Sequence, residues 1–239
     1  FAALLVQELD QNRIVHGNVR IFGTPRRMAL AVEAVAARQS ALVTGVLGPP
    51  ERIGMDADGQ PTLGNAGPGL MIDYAHDNII GGAVFGAENV ISGNLGDGVQ
   101  ITSSGATGNS LRGNAIYSNG GLGIDLGNDG VTMNDPTDAD LGPNGLANFP
   151  VLEAVQAGEL PWIYGSYGGQ PHAILTLDFY ASEDLDPAGF GEGQRWIGSA
   201  DIATDAEGQA PFAVQLPVSV AAGQYVSATA TGLDGTSEF

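Results

Sequence analysis

Between residues 69 and 127 the apolar positions recur in a fixed frame that is not helical. Gly69-Leu-Met-Ile-Asp73, Gly98-Val-Gln-Ile-Thr102 and Gly123-Ile-Asp-Leu-Gly127 share one order: glycine, apolar, variable, apolar. Asn89-Val-Ile-Ser-Gly-Asn94 returns 25 residues later as Asn114-Ala-Ile-Tyr-Ser-Asn119. Asn78 and Asn109 open the same Asn-x-Ile/Leu-x-Gly phrase. Self-similarity at this period predicts short strands stacked coil upon coil, with the apolar positions of each strand pointing in and the variable one pointing out. The expected inward columns are Leu70/Val99/Ile124 and Ile72/Ile101/Leu126, joined by Ile80, Ile91, Leu111 and Ile116. Met71, Gln100 and Asp125 form the expected outward column. Asparagines and glycines supply corners, because both tolerate positive φ. Gly81–Glu88 reads as an insertion in the first coil, since Asn78 and Asn109 are 31 residues apart and Asn89 and Asn114 only 25.

From Pro150 onward the pattern changes to alternating segments separated by turn residues: 151–155, 162–166, 174–181, 196–202, 210–216 and 225–230. Six such strands fit a small antiparallel sandwich. Before residue 63 the pattern is mixed. Phe1, Leu5, Leu9 and Ile14/Val15 follow helical spacing up to Gly17, while 19–22, 28–35 and 42–47 are strand-like. Pro25 makes the link between the first two strands a turn. The expected fold class is therefore mainly β: a short right-handed parallel β-helix over 63–149 and an antiparallel β-sandwich over 150–239. A small α+β segment over 1–62 precedes them.

Charge sharpens the boundary near Thr62. All eight basic residues of the 239-residue chain are arginines, against 27 acids. Six of those arginines and six acids lie in 1–62, so the net charge of −19 belongs to the remainder. Such an acidic surface repels phosphate backbones. It suits a solvated extracellular module. No stretch is long and apolar enough for a transmembrane helix. The first residues lack the basic start of a signal peptide, so the true N-terminus is expected to lie upstream. The absence of cysteine excludes disulfides and thiolate chemistry.

The run Val19-Arg20-Ile21-Phe22-Gly23-Thr24-Pro25-Arg26-Arg27-Met28-Ala29-Leu30 resembles the N-terminal region of the β subunit of bacterial two-subunit glycyl-tRNA synthetase. So do Ala37-Arg38-Gln39, Leu47-Gly48-Pro49-Pro50 and Asp56-Ala57-Asp58-Gly59-Gln60-Pro61-Thr62. In that family the adenylate chemistry belongs to a separate α subunit and the β subunit supports tRNA binding and assembly. The resemblance therefore implies tRNA and a synthetase α subunit as partners, a cytoplasmic location and no active site in this segment. Arg26 and Arg27 are the phosphate candidates, since paired guanidiniums suit phosphate oxygens; exposed strand-end arginines are the plainer alternative. Asp56 and Asp58 before Gly59 read as a turn more readily than as metal ligands.

Residues 63–149, through phrases such as Gly121-Leu-Gly-Ile-Asp-Leu-Gly127, resemble the parallel β-helix repeats of bacterial secreted and surface proteins, the pectin-lyase-like superfamily. Residues 150–239 resemble the sandwich that follows such repeats. Some members of that fold cleave polysaccharides. Here the repeat holds one basic residue, Arg112, and its acids Asp73, Asp97 and Asp125 fall at strand ends. No catalytic set is expected, and the module is read as structural or binding, with a glycan or another surface component as partner. Asp135, Asp138, Asp140 and Asn144 present oxygens at the short spacing a Ca²⁺ ion requires. A plain acidic turn holding Pro136 and Pro143 accounts for the same composition. Asp184, Asp186 and Glu192 are a second calcium candidate. Trp162, Trp196 and Tyr225 are either core anchors or a sugar-stacking platform, and His76 is expected in an exposed loop. The two resemblances imply opposite compartments, outside the cell and cytoplasm, which points to a join of two origins near Thr62.

Overall fold

The computed structural model describes residues 19–24, 27–32, 64–84, 86–186 and 189–239. The chain divides into two compact units, 1–42 and 43–239. In the first, β1 (Val19–Thr24) and β2 (Arg27–Val32) pair antiparallel, Val19 opposite Val32 and Thr24 opposite Arg27. Pro25, where a turn is expected, lies outside the described residues. The expected N-terminal helix, the 42–47 strand and the Asp56–Gly59 turn lie outside the described residues.

The second unit is mainly β and has two parts. In the first, the chain makes successive passes over itself. One pass is β3 (Leu70–Asp73), β4 (Ile79–Gly81) and β5 (Val90–Ser92). The next is β6 (Val99–Thr102), β7 (Ser110–Arg112) and β8 (Ala115–Tyr117), and β9 (Ile124–Leu126) begins a third. They pair in parallel as three short sheets, β3-β6-β9, β4-β7 and β5-β8. Leu70 aligns with Val99 and Val99 with Ile124; Ile72 aligns with Ile101 and Ile101 with Leu126. Val99, Ile101 and Leu126 have no exposed surface, and they share one aliphatic core with Ile72, Leu111, Ile116 and Ile124. These are the columns that the spacing predicts. Met71, Gln100 and Asp125 also align as one row. Only Met71 meets solvent, however, because Gln100 and Asp125 are buried. The segment after β9 folds back over Asp125, whose carboxylate accepts the Asn128 and Gly130 N–H groups at 2.7 and 3.3 Å.

Glycines at the head of each aligned strand allow the passes to close on one another. A Cβ on Gly98 would lie 2.5 Å from Ile116 Cγ2 and 2.6 Å from the Gly123 carbonyl.

The second part is antiparallel. β10 (Val151–Gln156), β11 (Trp162–Gly168) and β14 (Gln209–Gln215) form one sheet. β13 (Arg195–Ala203), β12 (Ile174–Ser182) and β15 (Tyr225–Thr231) form the other. All six strands fall where alternation predicts them. Ile163, Tyr167 and Phe212 from one sheet and Leu177, Phe179 and Ile197 from the other make a common core. The rings of Phe179 and Phe212 meet edge to face, 6.0 Å apart.

β12 is buried on both faces. Leu175, Leu177, Phe179 and Ala181 point into the antiparallel core. Asp178 and Tyr180, on the alternate positions, face the parallel part. Tyr180 joins its aliphatic core and accepts the Gly113 N–H at 3.1 Å. Opposite Phe179 and Tyr180, β13 carries a bulge at Ile197, next to Gly198 at φ +146°.

Candidate functional site

The parallel part ends in a loop and a 3-10-type turn, Pro143–Leu146, before the chain enters β10. This stretch brings three of the predicted calcium residues together. Oxygens of Asp135, Asp138 and Asp140 lie within 4.8 Å of one another. Asn148 organises the loop. Its side-chain carbonyl accepts the Asp135 N–H at 3.0 Å, its amide nitrogen donates to the Asp135 carbonyl at 2.8 Å, and its own N–H donates to Asp138 Oδ1 at 2.9 Å. Burial, together with the charges of Asp140, Asp135 and Asp234, pushes Asp138 up to about 6. Burial and then Asp135 raise Asp140 as well. One oxygen each of Asp135 and Asp140 is buried without a hydrogen-bond partner among the described residues. Clustered carboxylates with orphaned oxygens and raised affinity for protons are the donor chemistry of a hard divalent cation.

Asn144, the fourth predicted ligand, is drawn elsewhere. It is fully buried; its Oδ1 accepts the Asn109 N–H at 3.0 Å, and its Nδ2 donates to the Asn109 and Thr236 carbonyls at 2.8 and 2.9 Å. Its periodicity is that of the asparagine corners, not of the aspartate loop.

Of the second calcium candidate, Glu192 is engaged with the parallel part. Glu192 accepts the Ser118 and Asn119 N–H groups at 2.6 and 3.1 Å and the Asn119 side-chain amide at 2.9 Å. It is a cap on the parallel part. Nor do Trp162, Trp196 and Tyr225 form one platform or anchor the antiparallel core. Trp162 stacks on Tyr164 along β11, Tyr225 is 48% exposed, and Trp196 packs against the aliphatic core of the parallel part. His76 is exposed and pairs with its neighbour Asp77 at 3.1 Å.

The acids and the arginine of the repeat each hold structure. Asp73 accepts the Thr102 and Ser103 hydroxyls at 3.0 and 2.6 Å, and Asp97 accepts the Leu122 N–H at 2.9 Å. Arg112 grips fully buried Asp178 with two bonds, Nε to Oδ2 at 2.6 Å and Nη2 to Oδ1 at 3.0 Å. Ser199 and the Trp196 indole N–H bond the same carboxylate. An open cleft of about 360 Å³ beside this junction is lined by Val90, Tyr117, Glu183, Gln194, Arg195 and Gln224. The lining mixes apolar, amide and oppositely charged side chains with one aromatic ring, that of Tyr117.

Of the phosphate candidates, Arg27 begins β2, opposite Thr24, and Arg26 lies outside the described residues. Neither the cleft nor the Glu192 cap carries a signal in local spacing, since their residues come from distant strands.

Comparison with known proteins concerns the N-terminal part. The glycyl-tRNA synthetase beta subunit family matches residues 1–69. The similarity thus runs past Thr62 and meets the start of the parallel part, where the Asn65 N–H already donates to Asn94 Oδ1 at 3.1 Å. The glycine–tRNA ligase beta subunit of Desulforapulum autotrophicum is 57% identical over 63 residues, 26% of this chain and 9% of that protein. That of Syntrophus aciditrophicus is 46% identical over 61 residues, with the same coverage. That of Moorella thermoacetica is 37% identical over 79 residues, 33% of this chain and 11% of that protein. The chain therefore spans about a tenth of the length of these relatives.

Proposed function

We propose that residues 1–69 serve as the matching segment does in glycine–tRNA ligase beta subunits, supporting tRNA binding in glycyl-tRNA aminoacylation with a separate α subunit. One observation carries this reading: the similarity over 1–69, at up to 57% identity. Arg26 and Arg27 are its phosphate contacts. Filter binding of the full chain to glycine-accepting tRNA across a salt series tests it. Binding should weaken steeply with salt, and Arg26→Ala with Arg27→Ala should lower the salt slope by about 2. Salt-insensitive retention, or equal slopes for the two proteins, removes the reading. Its compartment is the cytoplasm.

A second reading applies to residues 70–239 and is favoured by the in-register parallel rows. These passes are coils of a right-handed parallel β-helix followed by a β-sandwich. They form a non-catalytic structural or binding module of the kind found on bacterial surfaces, with a glycan as partner in the cleft beside Tyr117. In the loop that precedes β10, Asp135, Asp138 and Asp140 take a calcium ion. Melting with Ca²⁺ and with chelator tests the ion: the midpoint should rise with Ca²⁺ at pH 7.5 and much less at pH 5, where Asp138 holds its proton. Equal midpoints at pH 7.5 dismiss it. A single genomic read across the codon for Thr62 tests whether the two parts share one frame.

A further inference from the structure

Alternation along β11 sends Ile163 and Tyr167 into the antiparallel core and turns Trp162, Tyr164 and Ser166 outward. An antiparallel sheet with one face in water ordinarily carries polar residues there. Here the middle strand of the sheet carries two large aromatic side chains on that face. Their ring centroids lie 6.3 Å apart and their planes differ by only 22°, so the rings run nearly parallel along the strand.

The register fixes what surrounds them. Trp162 lies between Gln156 of β10 and Gln215 of β14, whose amides offer donors and acceptors on either side of its ring. Tyr164 lies between Ala154 and Ala213, both exposed. These short side chains leave Tyr164 open from both sides, and it is 39% exposed. In the next row Ser166 lies between Val151 and Pro211. None of these positions is charged. Glu153, at the irregularity between Leu152 and Ala154, accepts from the Ser166 hydroxyl at 3.5 Å. Arg112 and Arg195, the arginines beyond residue 62, sit on strands of other sheets. Arg112 is held by Asp178, and Arg195 donates to the Ser219 carbonyl at 3.1 Å.

We propose that this outward face of β10, β11 and β14 binds a neutral glycan, whose sugar rings lie against Trp162 and Tyr164. A pyranose with equatorial hydroxyls shows C–H bonds on its faces and hydroxyls at its edge. The C–H bonds meet the electron-rich faces of the aromatic rings. The hydroxyls reach the amides of Gln156 and Gln215. Charge selects against an acidic polysaccharide, because residues 63–239 are strongly acidic and no arginine stands on this face. Shape selects against a proline-rich peptide, which docks in an aromatic-lined groove; Ala154 and Ala213 give Tyr164 no walls. Area selects against a second copy. Three strands about 4.8 Å apart and about six residues long span roughly 300 Å², well under the roughly 800 Å² per partner of a stable interface. The proposal shares the glycan partner of the reading of residues 70–239 and rests on it for the ligand class. It adds a second surface, separate from the cleft beside Tyr117.

Calorimetric titration of the full chain with cellohexaose, xylohexaose and mannohexaose tests it, with hexagalacturonate and decaproline as competitors of other chemistry. At least one neutral hexasaccharide should bind at least tenfold more tightly than hexagalacturonate or decaproline. Tyr164→Ala should weaken that binding at least tenfold while the melting midpoint stays within a few degrees. Trp162→Ala should do the same, and Trp162→Phe, which keeps a ring, should lose less. In NMR spectra the Trp162 indole N–H should shift on titration, and the Trp196 indole N–H should not. Tighter binding of hexagalacturonate or decaproline, unchanged affinity in Tyr164→Ala, or a dimer that Tyr164→Ala disperses overturns the proposal. Failure of the underlying reading looks different. Binding lost in Tyr117→Ala but kept in Tyr164→Ala overturns this face alone and leaves the glycan reading standing; no binding by any of the three neutral hexasaccharides overturns both.

Discussion

The two parts of the second unit solve the same burial problem differently. The antiparallel part closes on itself: two sheets face each other, and Phe179, Phe212 and Tyr167 fill the space between. The parallel part has an aliphatic interior of Ile, Leu and Val in rows, each row continuing the one beneath. Such a row has no internal reason to stop. Its last layer is finished by groups foreign to the repeat: Tyr180 from β12, Trp196 from β13 and Phe239 from the C-terminal segment. The rings of Tyr180 and Phe239 meet edge to face at 5.3 Å. The antiparallel part therefore acts as the end of the parallel one. The lesson is that a repeat supplies register but not termination, and termination needs unique residues.

That comparison breaks most sharply at the junction. Arg112→Ala leaves Asp178 charged, buried and short of its cation, so the cost should be about 3–5 kcal/mol. Urea denaturation reads it. If the two parts were independent, the loss would fall on one of two separate transitions; a single transition moving to lower urea shows coupling. Asn114→Ala tests the corners alone. It strips acceptors from the Asn89 N–H and side chain and a donor from the Ile80 carbonyl, and should cost about 2–3 kcal/mol. Asn114→Asp keeps the acceptor and should cost roughly half as much by the same measurement.

The smallest effect is a pH slope. Burial pushes Glu238 up to about 7, against the N–H groups of Leu126 and Thr132 that favour its charge. A carboxyl with a raised folded pKa stabilises the fold below its unfolded value of 4.5. That contribution is lost as pH rises through about 7. Melting midpoints should fall between pH 5 and pH 8, and Glu238→Gln should flatten part of that fall. An identical slope in the variant would assign it to Asp138, whose shift has the same sign.

Much of this was legible in advance because it is local. The columns through Val99 and Ile101 are set by a repeat of 25 to 31 residues, and the strands from Val151 to Thr231 by alternation over six to nine positions. The aspartate loop was partly legible, since Asp135, Asp138 and Asp140 sit close in sequence. What was not legible depends on pairs far apart in the chain: Arg112 with Asp178, 66 residues on, or Leu126 with Glu238, 112 residues on. A single carboxylate that caps one N–H leaves no period to detect. Asn144 shows the opposite failure. It stands inside an acidic run whose spacing groups it with the aspartates, while its partners Asn109 and Thr236 lie 35 and 92 residues away.

One corner of the parallel part departs from its own period. Asn78 pairs with a residue 31 positions on, whereas Asn89 pairs with one only 25 on. The surplus is held between β4 and β5, where Ala87 N–H returns to the Val84 carbonyl at 3.1 Å. The rows on either side keep their register in spite of it. Doubling such a loop costs only about 0.6 kcal/mol in closure entropy. This corner is thus a natural display position, where a recognition peptide can change in length and sequence while the framework carrying it stays constant.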